Sequence, residues 1–269
     1  MPRGVNLSGA WSSWVGKAHY EVIEMAIVVS ASRRTDIPSF YTDWFFERLG
    51  KGFVDVVNPW NPWQVRHLSL KPEDVVCFVF WTRDASPMLG NLGLLEKYAF
   101  YFQVTVNGYG VPMEPSGPGV EAGISALKAL SSEVGSRRVV WRYDPILLTE
   151  QYNSAWHVEN FKRLAREIGE RARHCVLSFY DNYKHSDKRL SKAGYRVALV
   201  DRASNEVRDL VLALAGIARE NGLSLSLCTE PELKEMLCVE HYACIDACII
   251  GELSRLPFSS KRDKNQRKG

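Results

Sequence analysis

Arginine and acidic side chains follow the ends of several short apolar segments in this 269-residue chain. One group contains Arg33, Arg34 and Asp36, and another contains Arg142 and Asp144. An arginine is costly to bury without a partner, and its planar fork matches a carboxylate or a phosphate. If these arginines converge with Arg83, and the two aspartates orient them, they predict a pocket for a small anionic substrate. The alternative is that Arg34–Asp36 and Arg142–Asp144 are ion pairs that satisfy each other at the rim of the fold.

The predicted ligand-binding residues all lie at or just beyond the end of an apolar segment. Ligands of parallel α/β folds bind at the carboxyl ends of the strands, so these positions should meet at one edge of the protein. We expect this edge to bind a substrate or a cofactor, and no catalytic residue is assigned. The set comprises Ser32, Arg33, Arg34, Asp36, Asn58, Trp81, Arg83, Gln103, Arg142, Asp144 and Glu230.

Four of the six cysteines lie in the last quarter of the chain. A C-x3-C-x2-C triplet would hold an iron–sulfur cluster with one iron left open. Cys244 and Cys248 occupy the first two positions of such a triplet, but Gly251 takes the third. Two thiolates on one helical turn can join a metal site but cannot complete it. The sequence therefore predicts Cys228, Cys244 and Cys248 as candidate metal ligands, with Cys238 as the alternative to Cys228.

Several common catalytic motifs are absent from the sequence. No Gly-rich segment has the spacing of a nucleotide-binding phosphate loop, and neither a G-x-S-x-G elbow nor an H-E-x-x-H helix occurs. His67, His157, His174 and His185 are isolated, and we expect each to be a surface or a packed histidine. The polar residues at the ends of the apolar segments are therefore the main functional signal.

Seven short apolar segments alternate with amphipathic stretches. They are nearly continuous runs of Val, Phe, Leu and Ile, which is typical of parallel strands covered on both faces. Residues 64–70 predict an extra short strand or a hairpin arm. Apolar residues on one helical face predict helices over 204–221 and 154–172, capped by Ser204 and Ser154, while 120–134 and 40–50 fit this pattern less cleanly. The predicted strands cover 26–31, 53–57, 75–81, 100–106, 139–143, 175–179 and 223–228.

Strand and helix patterns alternate about seven times, which predicts an α/β fold. The expected architecture is a parallel (β/α) barrel or a partial TIM-like barrel in a single domain, and a doubly wound open sheet is the alternative. No linker or internal repeat divides the chain. We expect a mobile N-terminal extension over 1–24, one barrel domain over 25–254 and a basic C-terminal tail over 255–269.

Composition and charge exclude several classes of protein. With 46% hydrophobic and 24% charged residues the chain can bury a sizeable core, so a wholly disordered protein is excluded. No apolar run reaches about 18 residues, and therefore no membrane-spanning helix is expected. Signal-peptide and disulfide-framework patterns are also absent, which predicts a cytoplasmic protein with reduced thiols. The tail has six Lys or Arg against one Asp, so nucleic-acid binding through the tail is a weaker alternative.

Six motifs make the chain similar to an uncharacterised protein family related to radical S-adenosylmethionine (SAM) enzymes. They begin shortly after Met25 and continue almost to the last residue. Together they are specific to that family. The motifs are SASRRTDIPSFY at 30–41, NPWNPWQV at 58–65, FWTR at 80–83, WRYDPI at 141–146, CID at 244–246 and DKNQR at 263–267.

The resemblance implies a radical SAM-like barrel that uses a [4Fe-4S] cluster and SAM as cofactors. Members typically continue past DKNQR into a C-terminal cysteine cluster, which implies a cluster folded back over the barrel mouth. This chain ends at Lys268-Gly269, where that cluster would begin. We therefore expect a truncated or degenerate member with impaired radical chemistry. The alternative is an enzyme or binding protein for a phosphorylated or carboxylated metabolite that needs no cluster.

Overall fold

The computed structural model describes residues 26–32, 34–111, 113–181, 184–197, 200–228, 233 and 240–258. The predicted N-terminal extension lies outside these residues, and so does most of the predicted basic tail. Arg33, Glu230 and Cys238, which have predicted roles, also lie outside them. The division of the chain into extension, domain and tail therefore stays a prediction.

Seven of the nine described strands form one sheet in which every pairing is parallel. The strand order in this sheet is β1–β4–β5–β6–β7–β8–β9, which follows the order of the chain. The remaining two strands, β2 and β3, form a separate antiparallel hairpin. The strands are β1 (Ile27–Ser30), β2 (Phe53–Asn58), β3 (Asn61–Ser69), β4 (Val75–Thr82), β5 (Phe100–Thr105), β6 (Val139–Ile146), β7 (His174–Phe179), β8 (Ser224–Cys228) and β9 (Glu240–Tyr242).

The sheet confirms the predicted parallel α/β class, but it is not a closed barrel. Strands β1 and β9 stand at opposite ends of the strand order, and no pairing joins them in the described part of the chain. The order also lacks the reversal that defines a doubly wound sheet. The architecture is therefore an open parallel sheet wound in one direction.

Seven α-helices and three 3₁₀ helices are described around this sheet. Helix α6 begins after Ser204, whose side chain accepts the Val207 N–H as predicted. Helix α4 begins at Ser154, the first residue of the predicted range, and ends at Ile168. Its cap is the side chain of Asn153 rather than the predicted Ser154, whose hydroxyl bonds Glu206. The α-helices are α1 (Ile37–Phe40), α2 (Thr42–Lys51), α3 (Val120–Val134), α4 (Ser154–Ile168), α5 (Lys184–Lys192), α6 (Asn205–Glu220) and α7 (Ala247–Leu253), and the 3₁₀ helices are Ser86–Leu95, Ser136–Arg138 and Gly169–Arg171.

The two faces of the sheet bury different side chains because successive residues of a strand point to opposite sides. On the outer face, Phe80, Phe102 and Trp141 pack in one core with apolar residues of helices α2, α3, α4 and α6. On the inner face, Val79 and Val140 pack in a second core with Ile249 and Ile250 of α7. Burial on both faces explains why these strands read as continuous apolar segments.

The apolar segment at 53–57 was predicted to be a strand of the parallel sheet, and this prediction is wrong. It forms strand β2, which pairs antiparallel with β3, so 64–70 is indeed largely a hairpin arm. Only Pro59 and Trp60 separate the two strands, and a parallel connection needs a crossover of a dozen or more residues. Trp60 and Trp63, at the tip of this hairpin, are almost fully exposed.

Strand β9 and helix α7 were not predicted from the sequence. Strand β9 has only three residues and α7 only seven, so neither shows a measurable periodicity. The Asp246 side chain caps α7 by accepting the N–H groups of Cys248 and Ile249. None of the described helices combines the length and apolarity required to cross a membrane.

Candidate functional site

Polar side chains from three neighbouring strands meet on the inner face at the carboxyl edge of the sheet. In β6, Arg142 and Asp144 project to the same side, as their spacing predicts. Both Nε and Nη2 of Arg142 donate to Oδ2 of Asp144, and Nη1 donates to Oε1 of Gln103 in β5 over 2.8 Å. Oδ1 of Asp144 accepts a hydrogen bond from the Ser178 hydroxyl of β7. These four residues form the Arg142 network.

The side chain of Asn107 holds the backbone of Asp144 in place through two hydrogen bonds. Its Oδ1 accepts the Asp144 N–H at 2.8 Å, and its Nδ2 donates to the Asp144 carbonyl at 2.9 Å. The Asn107 carbonyl in turn accepts from Nδ2 of Asn160 in α4 at 2.7 Å. The position of Asp144 is therefore set by backbone as well as side-chain contacts.

Arg142 is a buried cation whose charge is balanced inside the protein. Its side chain is 8% exposed, whereas that of Asp144 is 22% exposed. Burial by itself would lower the pKa of Arg142, but the nearby Asp144 and Cys228 side chains outweigh burial and raise that pKa above its ordinary value. The Arg142–Asp144 pair is therefore the self-satisfied ion pair that the sequence left open as an alternative. It is largely buried at the edge of the sheet instead of lying in water.

A second ion pair lies beside the Arg142 network. The two Nη atoms of Arg83 bind the two carboxylate oxygens of Glu114 at 2.6 and 2.8 Å. Nδ2 of Asn107 lies 3.4 Å from Oε1 of Glu114 and also donates to Asp144, so Asn107 links the two pairs. Arg83, Asn107 and Glu114 line one cavity at this edge.

The Arg34–Asp36 pair considered from the sequence is not formed. Arg34 donates to the Val57 carbonyl of the hairpin at 2.8 Å. Asp36 caps α1 through the Ser39 N–H, and its other oxygen accepts the Arg83 N–H at 2.8 Å. A short carboxylate followed by Ile-Pro is well suited to a helix N-cap, and this local geometry outcompetes pairing with Arg34.

The remaining predicted ligand-binding residues have different surroundings. Trp81 is partly buried and packs on the inner-face core. Asn58 bonds the side chain of Gln64 within the exposed hairpin and makes no hydrogen bond to the Arg142 network. The hydroxyls of Ser32 and Ser30 are buried and have no hydrogen-bond partner among the described residues.

In the part of the predicted anion pocket that the structure describes, the number of carboxylates equals the number of arginines. Arg34, Arg83 and Arg142 are matched by three carboxylates, those of Asp36, Glu114 and Asp144, and two of these arginines are directly ion-paired. An anion would therefore meet paired guanidinium groups rather than unpaired cations. Anion binding stays a prediction, and it has to account for these carboxylates.

Sequence reasoning did not select Asn107, Glu114 or Ser178 for this site. Asn107 and Ser178 lie just beyond or within the last residues of apolar segments, which is the signal that identified the other residues. Glu114 lies in the loop between β5 and α3, where no periodicity marks it. Glu114 can pair with Arg83 only because the folded loop places the two residues, which are far apart in the sequence, next to each other.

Two thiols lie next to the Arg142 network. The Sγ atoms of Cys228 and Cys244 are 3.7 Å apart, and Gln103 donates to the Cys244 carbonyl at 2.8 Å. Cys248 is exposed on α7. Within the ranges that the structure describes, no group of three or more His, Cys, Asp or Glu side chains could hold a metal ion. A four-iron cluster with one open iron needs three thiolates, so the described residues do not fit the [4Fe-4S] group implied by the resemblance.

The chain was compared with known protein families and with curated proteins. Residues 28–269 match one family, described as a domain of unknown function (DUF1848). No curated protein matches the chain significantly. The family description assigns no activity, so the resemblance to radical SAM enzymes rests on the sequence motifs and stays a prediction.

Proposed function

We propose that this chain, which belongs to the DUF1848 family, binds a small zwitterionic metabolite with a carboxylate and an ammonium group. The proposed site is the carboxyl edge of the parallel sheet, between the Arg83–Glu114 and Arg142–Asp144 pairs. The observation that supports it is the link between these two pairs through the side chain of Asn107. Parallel α/β folds bind their ligands at this edge of the sheet.

The two pairs differ in how much of each charge a ligand can reach. The side chain of Arg83 is 36% exposed, whereas that of Arg142 is 8% exposed. Arg83 is therefore the guanidinium available to a ligand carboxylate, with which it can form parallel hydrogen bonds. Asp144 and Glu114 are each at least 20% exposed, and their carboxylates can accept from an ammonium group.

The balance of charge favours a zwitterion over a phosphorylated metabolite. A phosphate brings two negative charges close to Glu114 and Asp144 without offering either carboxylate a partner, and like charges at short range repel. A ligand with one carboxylate and one ammonium group presents both signs. This reasoning narrows the predicted anionic substrate to carboxylated compounds that also contain an amine.

SAM belongs to this chemical class, because its methionine part has an α-carboxylate and an α-ammonium group. The resemblance to radical SAM enzymes and the sequential order of parallel strands support testing SAM as the ligand. The described thiols do not fit a four-iron cluster, so the proposal involves binding only and includes no radical step.

Adding an α-amino acid ligand or SAM should raise the melting temperature of the protein. A ligand that binds only the folded state at ten times its Kd stabilises that state by about 1.4 kcal/mol. Differential scanning fluorimetry with amino acids, SAM, dicarboxylates and sugar phosphates measures this effect. Stabilisation by phosphates with none from the zwitterions would contradict the proposal, and a panel without any response would count equally against it.

The Arg83→Ala variant tests whether Arg83 contacts the ligand. We expect a loss of affinity of about tenfold or more, because the ligand carboxylate loses a charge-assisted partner. The apo protein should lose about 1 kcal/mol or less, because the pair is partly exposed. Arg163→Ala is the matched control, since Arg163 pairs with the exposed Glu121 between α4 and α3. Equal affinity in the two variants would remove Arg83 from the site.

A further inference from the structure

The thiols of Cys228 and Cys244 lie in contact at the carboxyl edge of the sheet. Cys228 ends β8 and is opposite Tyr242 in the parallel pairing with β9, so the chain reaches Cys244 two residues later. The two Sγ atoms are 3.7 Å apart, close to the sum of their van der Waals radii, and no disulfide joins them. A disulfide between them requires the two sulfurs to approach to about 2.05 Å.

The two thiols differ in access to solvent. Cys244 is exposed, whereas Cys228 is 4% exposed. A dissolved disulfide can therefore reach Cys244 but not Cys228. An accessible thiol with a resolving thiol beside it is the arrangement found in redox-active cysteine pairs.

The surroundings of Cys228 suit a resolving thiol, which attacks the mixed disulfide formed on its neighbour. Its contact with the Cys244 sulfur and its burial raise the pKa of Cys228 above the ordinary range, while the neighbouring Arg142 acts in the opposite direction. Cys228 therefore keeps its proton while Cys244 is reduced. Once Cys244 is consumed in a mixed disulfide, the raising contact is lost and the Arg142 guanidinium remains to stabilise a Cys228 thiolate.

We propose that Cys228 and Cys244 form a redox-active dithiol that reduces small disulfide compounds. In the first step the Cys244 thiolate attacks one sulfur of a disulfide R–S–S–R, forms a mixed disulfide and releases one thiolate RS⁻. In the second step Cys228 gives up its proton and attacks Sγ of Cys244, which releases the second RS⁻. The protein loses two electrons, and the two cysteine protons end on the two released thiols. This activity does not depend on the zwitterion proposed above.

A metal ion is the other occupant that two adjacent thiols suggest. Two thiolates on one tetrahedral ion, each about 2.3 Å from the metal, lie about 3.8 Å apart, which is near the observed separation. Such an ion requires two further protein ligands in a closed site, and among the described residues no third His, Cys, Asp or Glu side chain joins the pair in a group that could hold a metal. The dithiol needs only the two sulfurs that the structure places in contact.

The test uses the full-length protein equilibrated with mixtures of reduced and oxidised glutathione. After acid quenching and alkylation of remaining thiols, peptide mass mapping should find a Cys228–Cys244 disulfide that dithiothreitol reverses. The Cys228→Ser variant should accumulate glutathione on Cys244, because the resolving thiol is gone. Cys244→Ser should take up about tenfold less glutathione at Cys228, since a buried thiol is poorly reactive. Cys248→Ser, which changes an exposed cysteine outside the pair, should behave as wild type.

Three results would overturn the proposal. They are a glutathione adduct that persists on Cys244 of the wild-type protein, a disulfide from Cys244 to Cys238 or Cys248 instead of Cys228, and no oxidation of Cys244 at all. Cys77 and Cys175 are fully buried and report on folding in the same experiment. If a variant labels at these two positions it has unfolded, and the wild-type disulfide map together with Cys248→Ser then decides the question.

Discussion

Lowering the pH from 7 to 4.5 should reduce the free energy of unfolding by about 2–3 kcal/mol for each of two buried histidines, His157 and His174. His157 is fully buried in α4, where Nδ1 lies 2.7 Å from the Tyr143 hydroxyl and Nε2 donates to the Leu147 carbonyl. Burial lowers its pKa to about 4, against the smaller opposing effect of the Leu147 hydrogen bond. Burial likewise lowers the pKa of His174 to about 4.

The direction of the effect follows from the proton count in the two states. An unfolded histidine titrates near pH 6.5, so between pH 6.5 and 4 the unfolded chain binds a proton that the folded protein does not. The contribution of each histidine to stability is therefore present above about pH 6.5 and is lost as the pH drops through this window. Glu252 affects stability at lower pH. Arg173 and Arg137 lower its pKa to about 2, so its contribution to stability is lost only below about pH 4.5.

Urea unfolding at several pH values between 7 and 4.5 measures this effect. The His157→Gln variant should lose one of the two contributions, so its stability should change less with pH even if it is less stable at pH 7. The control is His67→Gln, because His67 is exposed on the hairpin beside Asp55. Constant wild-type stability across this range would show that neither imidazole is held neutral by burial.

The Asp144→Ala variant should lose about 2–4 kcal/mol of unfolding free energy relative to wild type. Removing the carboxylate leaves the guanidinium of Arg142, which is 8% exposed, without its ionic partner. It also removes the acceptor of the Ser178 hydroxyl. Charges left unpaired in the interior are costly because the protein solvates them poorly.

Denaturant midpoints and slopes for wild type and Asp144→Ala measure this loss. The matched control is Glu121→Ala, which also removes a carboxylate paired with an arginine, but from a side chain that is 80% exposed. That change should cost less than about 1 kcal/mol. A similarly small loss in Asp144→Ala would show that Arg142 finds solvent once its partner is gone, and it would weaken the site proposed here.

Much of the secondary structure could be predicted because local rules determine it. The helix at 120–134 is found with those bounds, and the Ser204 cap is found as predicted, since apolar spacing and capping act within a few residues. Six of the seven apolar segments lie in the parallel sheet. The seventh became β2, because a run of apolar residues indicates a strand but does not specify its partner.

In the candidate site, too, the features set by local sequence could be predicted and those set by long-range contacts could not. Alternation along β6 was enough to place Arg142 and Asp144 on one side, and the end of each apolar segment marked Gln103 and Arg83. The partner of Arg83 could not be identified from the sequence, and neither could the role of Asp36 as a helix cap. Glu114 pairs with Arg83 from a loop, and Asp36 caps helix α1 instead of pairing with Arg34.

The amino-acid sequence by itself determined the class of the fold, most of the strands and helices that build it and the edge at which polar side chains collect. Each of these follows from interactions between residues close in the chain or from the periodicity of buried side chains. Only the tertiary structure decided that the arginines are balanced by carboxylates and that Cys228 touches Cys244. The Arg83–Glu114 and Cys228–Cys244 contacts join residues on different strands and loops, whereas Arg142 and Asp144 share strand β6. The energies of all three contacts depend on distance and burial, which exist only once the chain has folded.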